Sequence, residues 1–366
     1  MTTTRQQPIL IMAGGTGGHV FPALAVAEYL RAKGESIVWL GTHAGIESKV
    51  VPAANIAIEW LSVQGLRGKG VATLLFAPFR LMKACWQAYR TLSRLRPKAV
   101  LGMGGFVSGP GGLMAWVLGM PLILHEQNSV IGLTNKLLCR FARKNYFAFP
   151  EAAKAVSRSE CIGNPVREAM FALTSPEVRL TERLANRMNV LVIGGSLGAA
   201  SLNKTIPEAV ARMKQGERPN IKHQCGTRHL QTCLQNYQTA QVEAEVLDFI
   251  DDMPAVYAWA DLVICRSGAL TIAELTAVGV GAILVPFPYA VDNHQYHNAR
   301  FLEENQAACI VSDEDLNADS LASLLMTYQQ DRQALIELAV NAKSLATPQA
   351  TANLAEGILD IAGANA

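Results

Sequence analysis

The sequence lacks the cysteine patterns that cross-link small domains or bind metals in them. It has seven cysteines, an odd number, and no two of them follow the CxxC spacing. This argues against a disulfide framework and a structural zinc site, and it favours a reducing cytosol. The N-terminus lacks a long apolar run, because glycines follow directly after residues 9–13. We therefore expect no signal peptide.

Charge is the second scarce property. Only 17% of the residues are Asp, Glu, Lys or Arg, and the formal net charge is +2. A chain without a strong basic field is not expected to bind nucleic acid. The uncharged stretch 101–124 exceeds the roughly 20 residues that span a bilayer. Nine glycines and prolines interrupt it, so we predict a buried strand, helix and strand instead of a spanning helix.

One local pattern occurs twice in the chain. The apolar run 9–13 leads into a glycine loop, 14–19, and then into apolar residues at helical spacing. The run 190–193 leads in the same way into a second glycine loop, 194–199. Other short apolar runs alternate with helical patterns, which indicates parallel sheets with helices on both faces. Because 366 residues exceed what one core normally serves, we predict an α/β fold of two Rossmann-like, doubly wound domains facing a cleft.

The domain boundary is predicted from a break in these patterns. Residues 163–165, Gly-Asn-Pro, interrupt regular structure, and the segment 174–189 is polar and charged. We place the hinge there, which predicts an N-terminal domain over 1–165 and a C-terminal domain over 166–345. Apolar residues recur at helical spacing within 346–366, and we expect this terminal helix to pack back on the N-terminal domain.

A glycine loop between a strand and a helix suits a phosphate, because backbone N–H groups meet the positive end of the helix dipole. Two such loops suggest two ligands. The loop 14–19 does not match G-x-G-x-x-G, no Lys-Ser or Lys-Thr follows it, and the second strand ends at 40–41 without an acid for a ribose. Dinucleotide and P-loop sites are therefore disfavoured. A tight turn for packing a strand on a helix remains an alternative for each loop.

A third motif, residues 265–274, also follows a strand and opens a helix. Glu274 is the only charged residue between Arg266 and Asp292. A carboxylate in such apolar surroundings needs hydrogen-bond partners, and ribose hydroxyls would supply them. The polar residues 292–298 follow another strand, at the edge where α/β folds bind ligands.

These motifs, in this order, resemble glycosyltransferase family 28, and within it the undecaprenyl-linked N-acetylmuramyl-pentapeptide N-acetylglucosaminyltransferases. The matching segments span nearly the whole chain: 14–19, 104–110, 125–128, 132–136, 163–167, 194–199, 266–274 and 295–298. The resemblance implies a GT-B fold, with UDP-N-acetylglucosamine held by the C-terminal domain and the lipid-linked acceptor by the N-terminal one. It implies inverting transfer of N-acetylglucosamine to the C4 hydroxyl of the N-acetylmuramyl sugar of undecaprenyl-pyrophosphoryl-MurNAc-pentapeptide, in peptidoglycan synthesis.

The resemblance also implies roles for individual residues. Ser196 is expected to meet the diphosphate, the backbone of Ile250 the uracil, and Glu274 the ribose. The remaining donor contacts are expected from helix amides at Ala269, Leu270, Thr271, Ile272 and Ala273, and from Asn128, Arg167, Gln295, Thr16, Gly17 and Gly18. The chain departs from the family at Leu197, where glutamine is usual, which puts one diphosphate or sugar contact in doubt.

Inverting transfer requires a general base, because the acceptor hydroxyl loses a proton as it attacks. His19 is the candidate, since an imidazole titrates near neutrality and the nearby helix N-terminus favours its neutral form. Glu126 is the rival base, and packing or helix capping is the alternative role of His19. No cofactor and no metal site are predicted, because His294 and His297 share a helix face without an evident third ligand.

A membrane-facing surface is predicted between residues 74 and 96. The segment combines large apolar and basic side chains, namely Leu75, Phe76, Phe79, Trp86, Arg80 and Lys83. This mixture is typical of an interfacial amphipathic element on an anionic membrane, and a core-facing helix with solvated basic residues is the alternative. With a lipid-linked acceptor, it predicts peripheral attachment to the cytoplasmic face of the bacterial inner membrane.

Two other functions remain open at this point. An enzyme like UDP-N-acetylglucosamine 2-epimerase would share the architecture and need no lipid contact. A non-catalytic protein that binds sugar nucleotides or lipids would keep the pocket at Glu274 without a base at His19. Release of UDP that depends on the lipid acceptor distinguishes the three. The sequence does not indicate any protein partner.

Overall fold

The computed structural model describes residues 7–63, 77–195 and 198–364. The chain forms two compact units: the first extends to Val166 and resumes at Gln349, and the second is Arg167–Pro348. Each unit has its own parallel sheet and its own hydrophobic core. The predicted class, two doubly wound parallel α/β domains, is confirmed.

The sheet of the first unit has the strand order β3-β2-β1-β4-β5-β6-β7. Its strands are β1 Ile9–Met12, β2 Ile37–Gly41, β3 Ala57–Trp60, β4 Ala99–Gly102, β5 Leu122–Glu126, β6 Lys144–Phe147 and β7 Ser159–Cys161. All residues of β1 and β4 are buried, and Ile9 lies in register with Ile37 and Ala99. Central strands of a parallel sheet are covered on both faces, so their residues must be apolar throughout. This explains the unbroken apolar runs in the sequence.

The helices of the first unit cover both faces of this sheet. They are α1 Gly17–Ala32, α2 Glu47–Ala53, α3 Ala77–Leu95, α4 Ser108–Val117, α5 Leu133–Leu138, α6 Pro150–Lys154 and the C-terminal α15 Ala350–Gly363. Helix α15 packs against α1, and Leu354 and Ile358 join the core on that face. The C-terminal segment therefore belongs to the first unit.

The uncharged stretch 101–124 ends β4, forms α4 and begins β5, as predicted. Glycine lets α4 approach the neighbouring elements closely. A Cβ atom on Gly111 would lie 2.3 Å from the sulfur of Met12, and one on Gly112 would lie 2.7 Å from Leu138 Cδ1. The glycines that rule out a spanning helix therefore serve packing.

The sheet of the second unit has the order β10-β9-β8-β11-β12-β13. Its strands are β8 Asn189–Ile193, β9 Asn220–Gln224, β10 Glu245–Leu247, β11 Leu262–Cys265, β12 Gly281–Leu284 and β13 Ala308–Ile310. Its helices are α7 Pro176–Thr181, α8 Ala200–Arg212, α9 Leu230–Thr239, α10 Met253–Trp259, α11 Ala269–Val278, α12 His294–Glu303, α13 Ala318–Gln330 and α14 Arg332–Ser344. All strand pairs are parallel, so the loops that follow the strands lie along one edge.

Residues 174–189, where the hinge was predicted, lie inside the second unit. The placement of a hinge in this segment is therefore wrong. Helix α7 lies within it and packs on α14. The guanidinium group of Arg179 is buried and donates hydrogen bonds to the carbonyl groups of Thr174 and Gly279. A charged sequence suggested exposure, whereas two backbone carbonyl groups accept hydrogen bonds from the buried arginine.

Candidate functional site

The first candidate site is the glycine loop at the carboxyl end of β1. Gly15 has a φ of +97°, a conformation that glycine adopts without strain. Thr16 has extended backbone, with φ −106° and ψ 161°, and stands at the N-cap of α1. Thr16 is exposed, whereas Gly17, Gly18 and His19 are half-buried. The first turn of α1 is therefore accessible at the sheet edge where such folds bind ligands.

The imidazole of His19 lies against the loop that follows β4. A Cβ atom on Gly104 would lie 2.9 Å from His19 Nε2, and one on Gly105 would lie 2.3 Å from the Gly14 carbonyl oxygen. Both Gly104 and Gly105 have positive φ, so glycine is required for the two loops to approach this closely. The buried Ser108 hydroxyl accepts a hydrogen bond from Gly104 N at 3.1 Å. The motif 104–110 therefore shapes the surroundings of His19.

The structure disfavours Glu126 as the general base. Its buried carboxylate accepts four hydrogen bonds: two from Asn128, through backbone N at 3.1 Å and Nδ2 at 3.3 Å, one from Gly132 N at 3.1 Å, and one from Asn135 Nδ2 at 2.9 Å. These donors already occupy both oxygens of the Glu126 carboxylate. Glu126 instead orders the loop between β5 and α5 and holds the predicted contact residue Asn128.

The neighbours of Glu126 are also bound within the first unit. His125 Nε2 makes a hydrogen bond of 2.9 Å with the Gly163 carbonyl oxygen, and burial lowers the pKa of His125 to about 4. Gln127 Nε2 donates to the Met103 carbonyl oxygen at 2.7 Å, and Asn164 Nδ2 donates to the Gln127 carbonyl oxygen at 3.1 Å. The motifs 125–128 and 163–164 therefore form one buried polar network.

Sequence reasoning missed Glu47, the first residue of α2. Its side chain is fully buried, and its carboxylate accepts hydrogen bonds from Gly15 N and from Thr42. A ribose-binding acid was expected at the end of β2, near Gly41, whereas Glu47 lies beyond the following turn. Only the fold brings it behind the glycine loop.

The second candidate site begins with the glycine loop after β8. Gly195 and Gly198 have φ values of +80° and +77°. Gly195 N donates to Gln224 Oε1 at 3.0 Å, and Gln224 Nε2 donates to the carbonyl oxygens of Gly195 and Asp248 at 3.1 Å each. Sequence reasoning missed Gln224, which ends β9. Ser196 and Leu197 lie outside the described residues, so the predictions about them stay predictions.

The start of α11 narrows the set of predicted amide donors. Gly268, the N-cap, has extended backbone, and its carbonyl oxygen accepts from Ile272 N at 3.0 Å. From Ile272 onwards the amides bond within the helix. Ile272 and Ala273 therefore do not present amides to a ligand, contrary to prediction. The amides of Ala269, Leu270 and Thr271 come before the first intrahelical bond of α11, so these three stay the predicted amide donors.

Glu274 is buried one turn into α11. Tyr257 Oη donates to Glu274 Oε2 at 3.1 Å, and Arg167 Nη2 lies 4.0 Å from Glu274 Oε1. Burial raises the pKa of Glu274 to about 7, against the opposing effects of the Arg167 charge and the Tyr257 hydrogen bond. Sequence reasoning missed Tyr257, because the sequence of α10, on which it lies, contains no motif typical of a binding site. Within the second unit the carboxylate thus has two partners, Tyr257 and Arg167, and its contact with a ribose stays a prediction.

Gln295 lies in the first turn of α12, beside the loop that follows β12. Its side-chain Oε1 accepts from Phe287 N at 2.9 Å, and its carbonyl oxygen accepts from Ser267 Oγ at 2.8 Å. Asn298 Nδ2 donates to the Ser267 carbonyl oxygen at 3.2 Å. The motif 295–298 is therefore fixed against the residues that precede α11. The side-chain nitrogen of Gln295, Nε2, is the group that can donate to a ligand.

Four loops of the second unit bring the predicted residues to one sheet edge. Gly195 follows β8, Ile250 follows β10, Glu274 lies in the helix after β11, and Gln295 in the helix after β12. Ile250 is buried, and its neighbour Phe249 is exposed. Parallel strands end at the same edge of a sheet. Residues that are far apart along the chain therefore lie along one edge of this unit. Thr16, Gly17, Gly18 and Asn128 belong to the first unit.

No three or more His, Cys, Asp or Glu side chains could hold a metal ion in the part of the chain that the structure describes. His294 Nδ1 instead makes a hydrogen bond of 2.7 Å with the Val291 carbonyl oxygen. Within 7–63, 77–195 and 198–364, no helix is both long and apolar enough to cross a membrane.

Helix α3 directs its large apolar side chains outward. Its buried positions are Ala84, Ala88, Thr91 and Leu92. Five of its large apolar side chains are between 44% and 65% exposed, namely Phe79, Leu81, Met82, Trp86 and Tyr89. The helix thus has one face on the core, with Ala88 and Leu92, and one exposed apolar face, so the core-facing alternative accounts for only part of its apolar residues. Arg80 and Lys83 are exposed on the same helix, and Leu75 and Phe76 lie outside the described residues.

The exposed apolar side chains continue beyond α3, which sequence reasoning missed. Helix α3 packs on α4, and α4 packs on α5. The exposed residues on and near α4 and α5 are Trp116, Val117, Leu133, Leu137 and Phe141. The rings of Trp116 and Phe141 pack with their centroids 4.4 Å apart. We call the exposed apolar residues of α3 and this group together the apolar surface, which Lys136 and Arg140 adjoin.

Comparison with known proteins matches both units to one family. The family model described as the glycosyltransferase family 28 N-terminal domain matches residues 9–147. The model described as the glycosyltransferase family 28 C-terminal domain matches residues 189–354.

Relatives of similar length carry a common name. Proteins of Paraburkholderia phytofirmans and Burkholderia lata are each 48% identical over 99% of this chain, covering 97% and 98% of their own lengths. Both are named UDP-N-acetylglucosamine–N-acetylmuramyl-(pentapeptide) pyrophosphoryl-undecaprenol N-acetylglucosamine transferase. A crystal structure of Acinetobacter baumannii MurG is similar with a TM-score of 0.82 and 39% identity, over 97% of this chain and 99% of that one.

Proposed function

The chain belongs to glycosyltransferase family 28, and we propose that it transfers N-acetylglucosamine from UDP-N-acetylglucosamine to an undecaprenyl-pyrophosphoryl-N-acetylmuramyl-pentapeptide. The observation that carries the proposal is the 48% identity, over 99% of the chain, with enzymes named for these substrates. The matches of both units to one glycosyltransferase family favour this function over the epimerase-like alternative. The product is the lipid-linked disaccharide of peptidoglycan synthesis.

The donor is assigned to the second unit. Glu274 is the acceptor for the ribose hydroxyls, because it is a buried carboxylate whose burial leaves it in need of further donors. The glycine loop 194–199 and the amides of Leu270 and Thr271 supply N–H donors to the diphosphate. The backbone of Ile250 and the amide nitrogen of Gln295 complete the contacts to uracil and sugar.

Arg167 is suited to a ligand at Glu274. Its side chain is 41% exposed and lies 4.0 Å from the Glu274 carboxylate. A guanidinium this close to the carboxylate can also reach a phosphate bound beside it, and it offers planar, paired donors. The pair that Arg167 makes with Glu274 then loosens as the ribose takes its place.

Chemistry is assigned to His19 in the first unit. Its neutral imidazole accepts the proton of the acceptor C4 hydroxyl while the oxygen attacks the anomeric carbon. The bond from that carbon to the UDP oxygen breaks on the opposite face, which inverts the configuration. Negative charge develops on UDP, and the N–H groups of the second unit stabilise it. Thr16, Gly17 and Gly18 shape the approach to His19, and Glu126 holds Asn128 in place.

The apolar surface is assigned to the cytoplasmic leaflet of the inner membrane, as peripheral attachment. Large exposed apolar side chains beside Arg80, Lys83, Lys136 and Arg140 suit an interface with anionic lipid. An undecaprenyl-linked acceptor resides in such a membrane. Attachment would keep the first unit next to its substrate.

The test is release of UDP by the purified chain in detergent or vesicles, with and without the lipid-linked acceptor. The proposal expects UDP and the disaccharide product only when both substrates are present. An epimerase-like enzyme would convert the donor without acceptor, and a non-catalytic binding protein would bind UDP without turnover. Either result would refute the proposed reaction.

A further inference from the structure

Two buried side chains hold the two glycine loops in the same way. In the first unit, Glu47 Oε2 accepts from Gly15 N at 2.9 Å. In the second unit, Gln224 Oε1 accepts from Gly195 N at 3.0 Å. In both loops the donor is the second glycine, whose φ is +97° in one loop and +80° in the other. The loops therefore share one means of anchoring, with an acid in the first unit and an amide in the second.

The remaining partners explain why the two anchors differ. Glu47 Oε1 accepts from Thr42 N at 3.0 Å and from Thr42 Oγ1 at 2.7 Å. All three partners of Glu47 are thus donors, and a carboxylate offers acceptors only. Gln224 Nε2 donates to two carbonyl oxygens, which requires the donor half of an amide. Glutamine at position 47 would turn an N–H group toward another donor.

Three glycines make room for Glu47. A Cβ atom on Gly45 would lie 1.9 Å from Glu47 Oε2, one on Gly14 would lie 2.6 Å from Oε1, and one on Gly41 would lie 2.9 Å from Cγ. Gly14, part of the predicted phosphate loop, is therefore required by Glu47 itself. Packing this close leaves the carboxylate one position, and that position fixes Gly15.

From Gly15 the effect reaches His19 within one helical turn. Thr16 follows Gly15, and its carbonyl oxygen accepts from His19 N at 3.2 Å. The imidazole of His19 packs on Gly104, where a Cβ atom would lie 2.8 Å from Cδ2. A displacement of Gly15 would therefore move the imidazole relative to the loop it packs against.

The anchors also differ in charge, which affects the group that each loop can stabilise. The first loop has a carboxylate behind it, which accepts from Gly15 N, whereas the second has an amide. The neutral Gln224 leaves the N–H dipoles of the second loop uncancelled, which suits a diphosphate. The two loops are thus matched to different steps of one reaction.

We propose that Glu47 is a positioning residue of the transfer reaction, a role that rests on the proposed function. It holds residues 15–19 in the geometry in which His19 accepts the acceptor proton. Gln224 is its neutral counterpart at the donor loop.

The test compares Glu47→Gln with wild type in two measurements, kcat for acceptor-dependent UDP release and the Kd of UDP by calorimetry. We expect kcat to fall about 10- to 100-fold, because a small displacement of a catalytic group costs this much. We expect the Kd of UDP to stay within about twofold, since the donor loop is anchored separately. Glu59→Gln, the same change in a surface ion pair with Arg94, is the control and should change neither.

Gln224→Met supplies the reciprocal measurement, because it removes the amide without adding charge. It should raise the Kd of UDP by about tenfold, because it removes the three hydrogen bonds that tie Gly195 and Asp248 to Gln224. If Glu47→Gln leaves kcat unchanged, or changes kcat and the Kd of UDP equally, Glu47 has no positioning role. Failure of the proposed function is distinct, because wild type itself would then release no UDP with the acceptor.

Amide hydrogen exchange checks that Glu47→Gln is folded, with faster exchange expected only around residues 9–24 and 41–47. If the variant unfolds, Thr42→Val replaces it, since this change removes one of the three donors to Glu47 and keeps the carboxylate. Thr42→Val should lower kcat several-fold with the Kd of UDP unchanged. An unchanged kcat in folded Thr42→Val would equally overturn the inference.

Discussion

His19 lies in the first turn of α1, beside the loop that follows β4. A general base must be held within reach of the proton that it accepts. The glycines at 104 and 105 bring a second loop against this ring, which restricts its rotamers. A single residue thus combines proton affinity with fixed geometry.

His19→Ala should lower kcat for acceptor-dependent UDP release by about 100-fold or more, the usual contribution of a positioned base. The Kd of UDP should stay within about twofold, because the contacts proposed for UDP at Gly195, Ile250 and Glu274 belong to the second unit. His43→Ala removes an exposed imidazole of the first unit that stacks on Trp60, and it should leave kcat unchanged. Wild-type turnover in His19→Ala would reject the assignment.

Glu274 is the residue with the clearest pH dependence. Burial raises its pKa in the folded chain to about 7, above the ordinary value of 4.5. The folded state therefore binds a proton between these values that the unfolded state does not. The contribution of Glu274 to stability is fully present below pH 4.5 and is lost as the pH rises through about 7.

Glu274→Gln should flatten this dependence between pH 5 and pH 8 by up to about 3 kcal/mol, the difference between the two pKa values in free energy. The measurement is urea unfolding of wild type and variant across the pH range. Parallel curves for the two proteins would show that Glu274 titrates near its ordinary pKa. The variant should also bind UDP less tightly, since a neutral amide accepts ribose hydrogen bonds less strongly than a carboxylate.

At the scale of elements, α3 has an inverted distribution of side chains. Small residues such as Ala84 and Ala88 face the unit, and Phe79 and Trp86 face outward. The small residues let α3 lie close to α4, and the large ones extend the apolar surface. Under the proposed membrane attachment, the exposed rings on this face are the ones that lipid would cover.

Removing the two basic residues in Arg80→Gln/Lys83→Gln should weaken binding to anionic vesicles at low salt by about 30-fold, at about 1 kcal/mol for each charge. Trp86→Ala should weaken binding at both low and high salt, because apolar burial is not screened. Tyr289→Ala, an exposed aromatic change in the second unit, is the control. If wild type fails to bind these vesicles at low salt, the membrane assignment is wrong.

At the scale of the whole molecule, the two units have separate sheets and separate cores. A ligand that binds one unit stabilises that unit by mass action, by about 2.7 kcal/mol at 100 times its Kd. The proposed donor residues Gly195, Ile250, Glu274 and Gln295 all lie in the second unit. Ligand protection should therefore differ between the units.

UDP at saturation should slow amide hydrogen exchange in the second unit, around 194–199 and Ala269–Val278. Peptides of the first unit around residues 9–24 should exchange at the rate of the free protein. Glu274→Gln at the same UDP concentration is the control and should lose most of the protection. Protection centred on residues 9–24 would place the nucleotide at the wrong loop.

Much of the architecture could be predicted from the sequence. The apolar runs of β1 and β8 and the glycine loops after them depend on neighbours along the chain, and their spacing alone indicates strand, loop and helix. The motif at Glu274 was recognisable because it is a lone charge in an apolar segment. The prediction that Ile272 and Ala273 present amides to a ligand was wrong, because the intrahelical bonds of α11 begin at Ile272.

What the sequence by itself determined is therefore the local and repeated part: two doubly wound sheets, two glycine loops and the family they resemble. The tertiary structure decided what lies behind each loop. Glu47 meets Gly15 across 32 residues, Gln224 meets Gly195 across 29, and Tyr257 meets Glu274 across 17. These contacts depend on crossover connections that bring the ends of parallel strands together, and no spacing within one segment reveals which polar side chain will be buried there.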